Sequence, residues 1–320
     1  METLHMTGKN LKTKVLIALL ILTALICAVA LQAQDVREYN EKHSFFSEFN
    51  ISDRISKKFD WQLDFQYRRQ SEQHKLQPNA NTGDLVMNPF QTVFRPFVHF
   101  YPMADRKLRI SLSPLGYWST FGPAGSNGTV LESGEAANDK LLQYYELRST
   151  LQLSTSDKIG RVKTIYRMRL ERRMLGQRTP SHSADRSGFD LHLFDVDKTI
   201  LKYRLRMMYR LEVPLAGATL DDKEFYAAAS DEVMVAFGKN VGNAGFFDQN
   251  RAYAGIGYKF NPNWKVEVGY LNQVQASSIT NVNGQSIRNM DLNHALHVFV
   301  VVDHFTSLFR PSPTNQHITK

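Results

Sequence analysis

The segment "LKYRLRMMYRLEV", residues 201–213, switches side-chain character at almost every step. Lys202, Arg204, Arg206, Arg210 and Glu212 share one parity; Leu201, Tyr203, Leu205, Met207, Tyr209, Leu211 and Val213 share the other. A period of two belongs to an extended strand, whose successive side chains point to opposite faces. Such a strand must meet an apolar environment on one side and a polar one on the other. The pattern recurs in "GRVKTIYRMRLERRML" (160–175), where Lys163, Arg167, Arg169, Glu171 and Arg173 oppose Val162, Tyr166, Met168, Leu170 and Met174. In "WQLDFQYR" (61–68), Gln62, Asp64, Gln66 and Arg68 oppose Trp61, Leu63, Phe65 and Tyr67. In "LLQYYELRSTLQLS" (141–154), Glu146, Arg148, Thr150 and Gln152 oppose Tyr145, Leu147, Leu151 and Leu153. Further runs at 43–51, 90–101, 106–118, 226–238, 250–260, 263–275 and 292–305 bring the count to eleven. No amphipathic helix, heptad or internal repeat competes with them.

The mean hydropathy of −0.35 would suit a soluble protein, but strict alternation cancels in any average. The N-terminus points elsewhere. Lys9, Lys12 and Lys14 precede the apolar run "VLIALLILTALICAVAL" (15–31), and Leu31-Gln32-Ala33 offers a cleavage site. That order predicts a secretory signal peptide over 1–33, the alternative being an uncleaved anchor. Cys27 raises a lipoprotein option, disfavoured by Ile26 before it and the apolar residues after it. Cleavage removes the only cysteine and lowers the net charge from +8 to about +6. The exported chain then carries no disulfide.

Runs of roughly nine residues or more, separated alternately by tight connections such as "NPN" (261–263) and "PMADRK" (102–107) and by long polar stretches at 71–89, 121–140, 176–197 and 277–291, match a membrane barrel. Soluble strands average five or six residues. Aromatic residues near run ends, as in "DWQLDF" and "NPNWKVEVGY", suit interfacial girdles. The fold expected is therefore all-β: a transmembrane antiparallel up-and-down β-barrel over 34–305, followed by a C-terminal tail at 306–320. Bacterial barrels usually have an even strand count with both termini in the periplasm. Eleven runs break that rule, so an extra strand within 34–42 is expected, giving about 12 strands, with 10 as the alternative. The localisation that follows is the bacterial outer membrane, with outer-membrane lipid and the outer-membrane insertion machinery as partners.

A Lys or Arg facing lipid near the midplane costs roughly 2–4 kcal/mol, so the charged faces are expected to line the lumen. They place Lys163, Arg167, Arg169, Glu171, Arg173, Lys202, Arg204, Arg206, Arg210 and Glu212 on two adjacent strands, with Asp64, Glu146, Arg148, Glu232, Arg251 and Glu267 contributed by others. Two readings follow. The surplus positive charge serves passage or binding of small anionic solutes, which makes a narrow channel or binding barrel the leading functional expectation. Or the arginines bridge carboxylates and fill a narrow lumen, which leaves a closed structural or interaction barrel with recognition by its external loops as the alternative. Gly255 and Gly257, at the parity of Arg251, leave space for neighbouring arginines or for a passage.

Enzyme signals are sparse. His99, His294, His297 and His304 lack metal-ligand spacing, and neither a Gly-x-Ser-x-Gly elbow nor a phosphate or dinucleotide loop occurs. Neither a metal nor a cofactor is expected. Ser111 and Ser113 could meet a histidine and an acid, which keeps a lipid-modifying hydrolase as a third reading. The basic residues alternate into a lumen and form no exposed patch, which argues against nucleic acid.

Taken together, "FFDQNRAYAGIGYKFNPNWKVEVGYLNQ" (246–273), "YRMRLERR" (166–173), "LKYRLRMMYRLEVPL" (201–215), "YYELR" (144–148) and "DEVMVAFG" (231–238) resemble the uncharacterised family known as domain of unknown function 2490. The resemblance runs from about 43 to 305 and implies an outer-membrane barrel of the kind common in Bacteroidetes, with no established activity. It singles out Glu146, Arg148, Arg167, Arg169, Glu171, Arg204, Arg206, Glu232, Asn250 and Arg251. Phe305, followed by fifteen residues, departs from the terminal aromatic usual in a last barrel strand.

Overall fold

The computed structural model describes residues 36–70, 89–123, 141–177, 198–241, 246–282 and 285–309. Each of the eleven alternating runs is a strand: β1 (Val36–Arg54), β2 (Phe59–Gln70), β3 (Pro89–Phe100), β4 (Leu108–Pro123), β5 (Leu141–Ile159), β6 (Val162–Gln177), β7 (Lys198–Pro214), β8 (Glu224–Phe237), β9 (Phe247–Asn261), β10 (Trp264–Val282) and β11 (Gln285–Val302). A 3-10 helix, Phe305–Phe309, follows. Sequential neighbours pair antiparallel around a closed barrel.

The count is eleven, not the twelve expected nor the ten held as alternative. Residues 36–42 form no extra strand; they extend β1. An odd up-and-down meander leaves its first and last strands pointing the same way, so it closes only through a parallel ladder. β1 and β11 pair in parallel from Val36↔Ile287 to Ile51↔Val302. The chain thus enters at one rim and leaves at the other.

The rim where β11 ends carries the tight connections 55–58, 101–107, 160–161, 215–223 and 262–263, and is called the turn end below. Gly160, with φ 61°, takes the first of two central positions between β5 and β6, where a two-residue hairpin needs positive φ. Of the long polar stretches, 71–88, 124–140 and 178–197 lie outside the described residues. The fourth, 277–291, is not a loop: β10 runs to Val282 and β11 resumes at Gln285.

Strands of 12 to 19 residues exceed soluble norms. Their outer faces expose Phe65, Leu112, Leu151, Leu153, Leu170, Ile256 and Leu296. Aromatic pairs gather at the turn end (Phe59–Phe100, 5.1 Å; Phe225–Tyr258, 4.7 Å) and toward the other rim (Tyr203–Phe237, 5.7 Å). Outward charges, Arg172 and Asp231 among them, interrupt the apolar wall. Asn250 donates to Asp231 at 2.8 Å.

Bulges re-aim particular side chains. Between Ser113 and Gly116 the β4–β5 register slips over Pro114, which has no N–H for the ladder. On β9 a slip opposite Met234 and Val235 frees Asp248 to reach into the lumen.

Candidate functional site

The inner wall carries the charged residues, and they are joined. Glu146 receives two guanidinium forks: Arg148 at 2.5 and 2.9 Å, and Arg173 at 2.5 and 2.9 Å. Glu171, fully buried, lies 2.9 Å from Arg206, 3.7 Å from Arg148 and 3.9 Å from Arg204. Glu232 accepts from Arg206 at 2.6 Å and from Arg167 at 3.0 Å. Arg210 bridges Glu212 at 2.9 Å and Glu267 at 2.6 Å, and Lys163 joins Glu212 at 3.1 Å. Several of these contacts skip strands. Arg210 on β7 meets Glu267 on β10, and Arg167 on β6 meets Glu232 on β8. Side chains that bridge non-neighbouring strands cross the lumen and occupy it.

A second set forms a directed hydrogen-bond chain along the inner wall. Arg169 donates to Gln152 at 2.5 Å, and Gln152 donates to Ser111 at 3.3 Å. Ser111 Oγ lies 2.8 Å from His99 Nδ1, and His99 Nε2 lies 2.9 Å from the Gln62 carbonyl oxygen. Gln62 in turn donates to Asp64, and Arg95 closes the series with two bonds to Asp64 at 3.0 and 2.6 Å. Because the Gln62 oxygen can only accept, His99 carries its proton on Nε2, and Ser111 donates to Nδ1. The chain crosses β6, β5, β4, β3 and β2, and every member is satisfied in one direction.

That chain answers the hydrolase expectation in part. Ser111 does meet a histidine, but the group behind His99 is an amide, and Ser111 has no exposed surface. Ser113 Oγ is buried without a partner. His294 faces outward against the Tyr270 hydroxyl at 2.5 Å, and His297 lies 3.8 Å from Glu48. Among the described residues no group of three or more potential metal ligands gathers.

Arg95 and Asp248 lay beyond the sequence reading, and Arg68, read there only as part of the polar face of 61–68, joins them. Arg95 anchors Asp64. Arg68 packs over the Phe46 ring at 4.5 Å and bonds Gln66 and Gln91. Asp248 lies 2.8 Å from Arg204. The parity of β2 and β3 was enough to find the first two; Asp248 was hidden by the bulge. Lys202 and Arg251 make no ion pair among the described residues. Arg68 and Arg169 likewise have no carboxylate partner.

Gly255 and Gly257 do face inward, but the space they leave is taken by tyrosines and not by arginines. A Cβ on Gly257 would collide with the Tyr226 ring, and one on Gly255 with Tyr253. Tyr226 and Tyr253 join Phe46, Ala228, Leu271 and Ala295 in a buried apolar cluster inside the barrel.

Toward the turn end the lumen opens into a cavity of about 270 Å³. Gln62 and His99 line it, with Arg54, Arg106, Arg109 and His304 among its other walls. The segment after β11 is held beside it. Thr306 N donates to Asp53 at 2.6 Å, Ser52 to Asp303 at 2.8 Å, and Asn263 to Ser307 at 2.8 Å.

Fold and interior together define a closed, mostly antiparallel β-barrel whose lumen is crossed by arginine–carboxylate pairs. The chain belongs to the family described as "Protein of unknown function (DUF2490)", whose model matches residues 43–283. No curated protein and no solved structure matches it.

Proposed function

We propose that this is an outer-membrane barrel, exported by a cleaved signal peptide, whose own side chains close its lumen. On this reading it is not a general pore. The barrel presents its rims and outer wall for recognition. The observation that carries the closure is the bridging of non-neighbouring strands by lumen-facing groups: Arg210 to Glu267, which is 2% exposed, and Arg167 to Glu232, which Arg206 also holds from the adjacent strand. Unpaired, such charges would be costly to bury; paired and hydrogen-bonded, they stay where they are and exclude ions. The membrane assignment draws on the apolar outer wall, the aromatic pairs near both strand ends and the N-terminal export signal.

Passage or binding of small anions within the lumen is the second reading. It draws on Arg68, Arg169 and Arg251, cations with no carboxylate partner among the described residues. One measurement separates the two. Protein purified from outer membranes and shown to be folded by heat-modifiable migration is placed in a planar bilayer under a salt gradient. Closure predicts no steady conductance. Sustained, anion-favouring current would overturn it. Absence of the protein from the outer-membrane fraction would overturn the location.

A further inference from the structure

We infer that the turn-end cavity is a binding site for a small oxyanion, a phosphate- or carboxylate-bearing molecule, held by Arg109 and Arg54 with His304 at its edge. The inference goes beyond the closed-barrel reading and holds whether or not the lumen conducts.

The argument rests on which charges in the cavity are already used. Its carboxylates keep their negative charge, but each accepts at least one bond from the protein itself, so the fork of Arg109 is not tied to any of them. Asp53 accepts from the backbone N–H groups of Arg54 and Thr306, both at 2.6 Å. Asp303 accepts from Ser52, and Asp60 from Arg106. Arg106 is spent further, on the Lys57 carbonyl at 3.0 Å and over the Tyr101 ring at 3.6 Å. The cations opposite are not engaged in this way. Among the described residues Arg109 gives only its Nε, to Ser154 at 3.1 Å, and both terminal nitrogens of its fork remain. Arg54 and the His304 side chain make no ion pair or side-chain hydrogen bond among the described residues.

Position reinforces the count. Arg109, the second residue of β4, has inward parity and lies opposite Ser154 on β5. Arg54 ends β1. His304 itself takes a left-handed conformation, φ 53°, in the segment clamped to Asp53 and Asn263. The three come from distant parts of the sequence; Arg54 and His304 meet at this cavity because β1 and β11 end side by side at the parallel seam, and Arg109 reaches it from β4. The floor, His99 and Gln62, has both imidazole nitrogens and the amide committed to the internal chain. A guanidinium fork presents planar paired donors, the geometry that carboxylate and phosphate oxygens accept. The volume of about 270 Å³ falls below the roughly 300–1,000 Å³ of pockets for drug-sized ligands. The occupant is therefore small.

The test is isothermal titration of inorganic phosphate, and separately of citrate, into the detergent-solubilised protein purified from cells expressing the full chain. Saturable binding to one site is expected. Arg109→Gln should weaken it at least tenfold, and Arg54→Gln should weaken it several-fold. Arg109→Lys, which keeps the charge and loses the fork, should fall between Gln and the parent. Arg69→Gln, which bears on the outer wall, should leave it unchanged. Each variant is checked for heat-modifiable migration; if Arg109→Gln does not fold, Arg54→Gln decides, because Arg54 is exposed at a strand end. Preference for phosphate over citrate, or the reverse, identifies the ligand class. Absence of saturable binding of either anion, or equal affinity in the folded Gln variants, overturns the inference.

Discussion

Replacing Glu232 with Gln removes one negative charge while keeping size, and the structure fixes what that leaves behind. Glu232 is the only carboxylate within ion-pair distance of Arg167 among the described residues, and one of two for Arg206. Three charge-assisted bonds converge on it, at 3.0, 3.3 and 2.6 Å. Such bonds contribute about 1.5–3 kcal/mol each, and removing one partner of a buried pair costs about 3–5 kcal/mol. Gln still accepts one bond, and Arg206 keeps Glu171, so the lower bound of that range applies. The expected loss is about 3 kcal/mol, roughly a hundredfold in the folding equilibrium. Urea unfolding in detergent, followed by tryptophan fluorescence and heat-modifiable migration, reads it directly. The double variant Glu232→Gln/Arg167→Met removes the stranded cation as well and should recover about 1–3 kcal/mol relative to additivity. A single variant within about 0.5 kcal/mol of the parent, or a strictly additive double variant, would refute the claim that these pairs hold the lumen together.

Three further outcomes are expected. Leu170→Arg, on the exposed outer face of β6, should cost about 2–4 kcal/mol in lipid bilayers if that face meets hydrocarbon; unchanged folding yield and stability would mean the wall is not in lipid. Ser44→Cys with Ala295→Cys, registered partners across β1 and β11, should form a disulfide on oxidation of the purified folded protein, whereas Ser44→Cys with Leu271→Cys should not; mass spectrometry without the first crosslink would rule out the parallel closure. Gly257→Val should drive its side chain into the Tyr226 ring and lower the yield of folded barrel, with Tyr226→Ala restoring part of it; full yield from Gly257→Val alone would show that the ring is not packed there.

Periodicity made most of this barrel legible. Eleven alternating runs became eleven strands because each had one face for an apolar surrounding and one for a polar interior, a local property that survives folding. The expectation of twelve came from adjusting that count to the even-number habit of bacterial barrels. Val36–Lys42 could satisfy it only as a separate strand, and the chain instead extends β1 through them. The stretch 277–291 misled for another reason: its polar composition resembles a loop, yet Asn283-Gly284 is the dipeptide that turns tight hairpins, and strands flank it. Inward parity located Glu146, Glu171, Arg206 and Glu232 but could not say which arginine meets which carboxylate. Those pairings depend on register and on the curvature that brings β7 within reach of β10. Asp248 was unreadable, since a bulge switches the face a residue belongs to without changing its neighbours in sequence.

The odd strand count also explains why the turn end carries the chemistry it does. Parallel pairing is slightly less stable per residue than antiparallel, and the β1–β11 seam compensates with length, running from Val36 to Ile51 against Ser44 to Arg54 for the β1–β2 ladder. Because both seam strands run the same way, β1 and β11 finish together at Ile51↔Val302. The chain leaving β11 is therefore delivered to the turn beyond β1, where Asp53 captures Thr306 N and Ser52 captures Asp303. An even barrel closing antiparallel would have sent the first strand's start, not its end, to that place. The same closure brings Arg54 and His304 to the lining of one cavity with Arg109. Residues separated by some 250 positions in sequence become one rim, held by carboxylates that accept from the chain's own neutral donors.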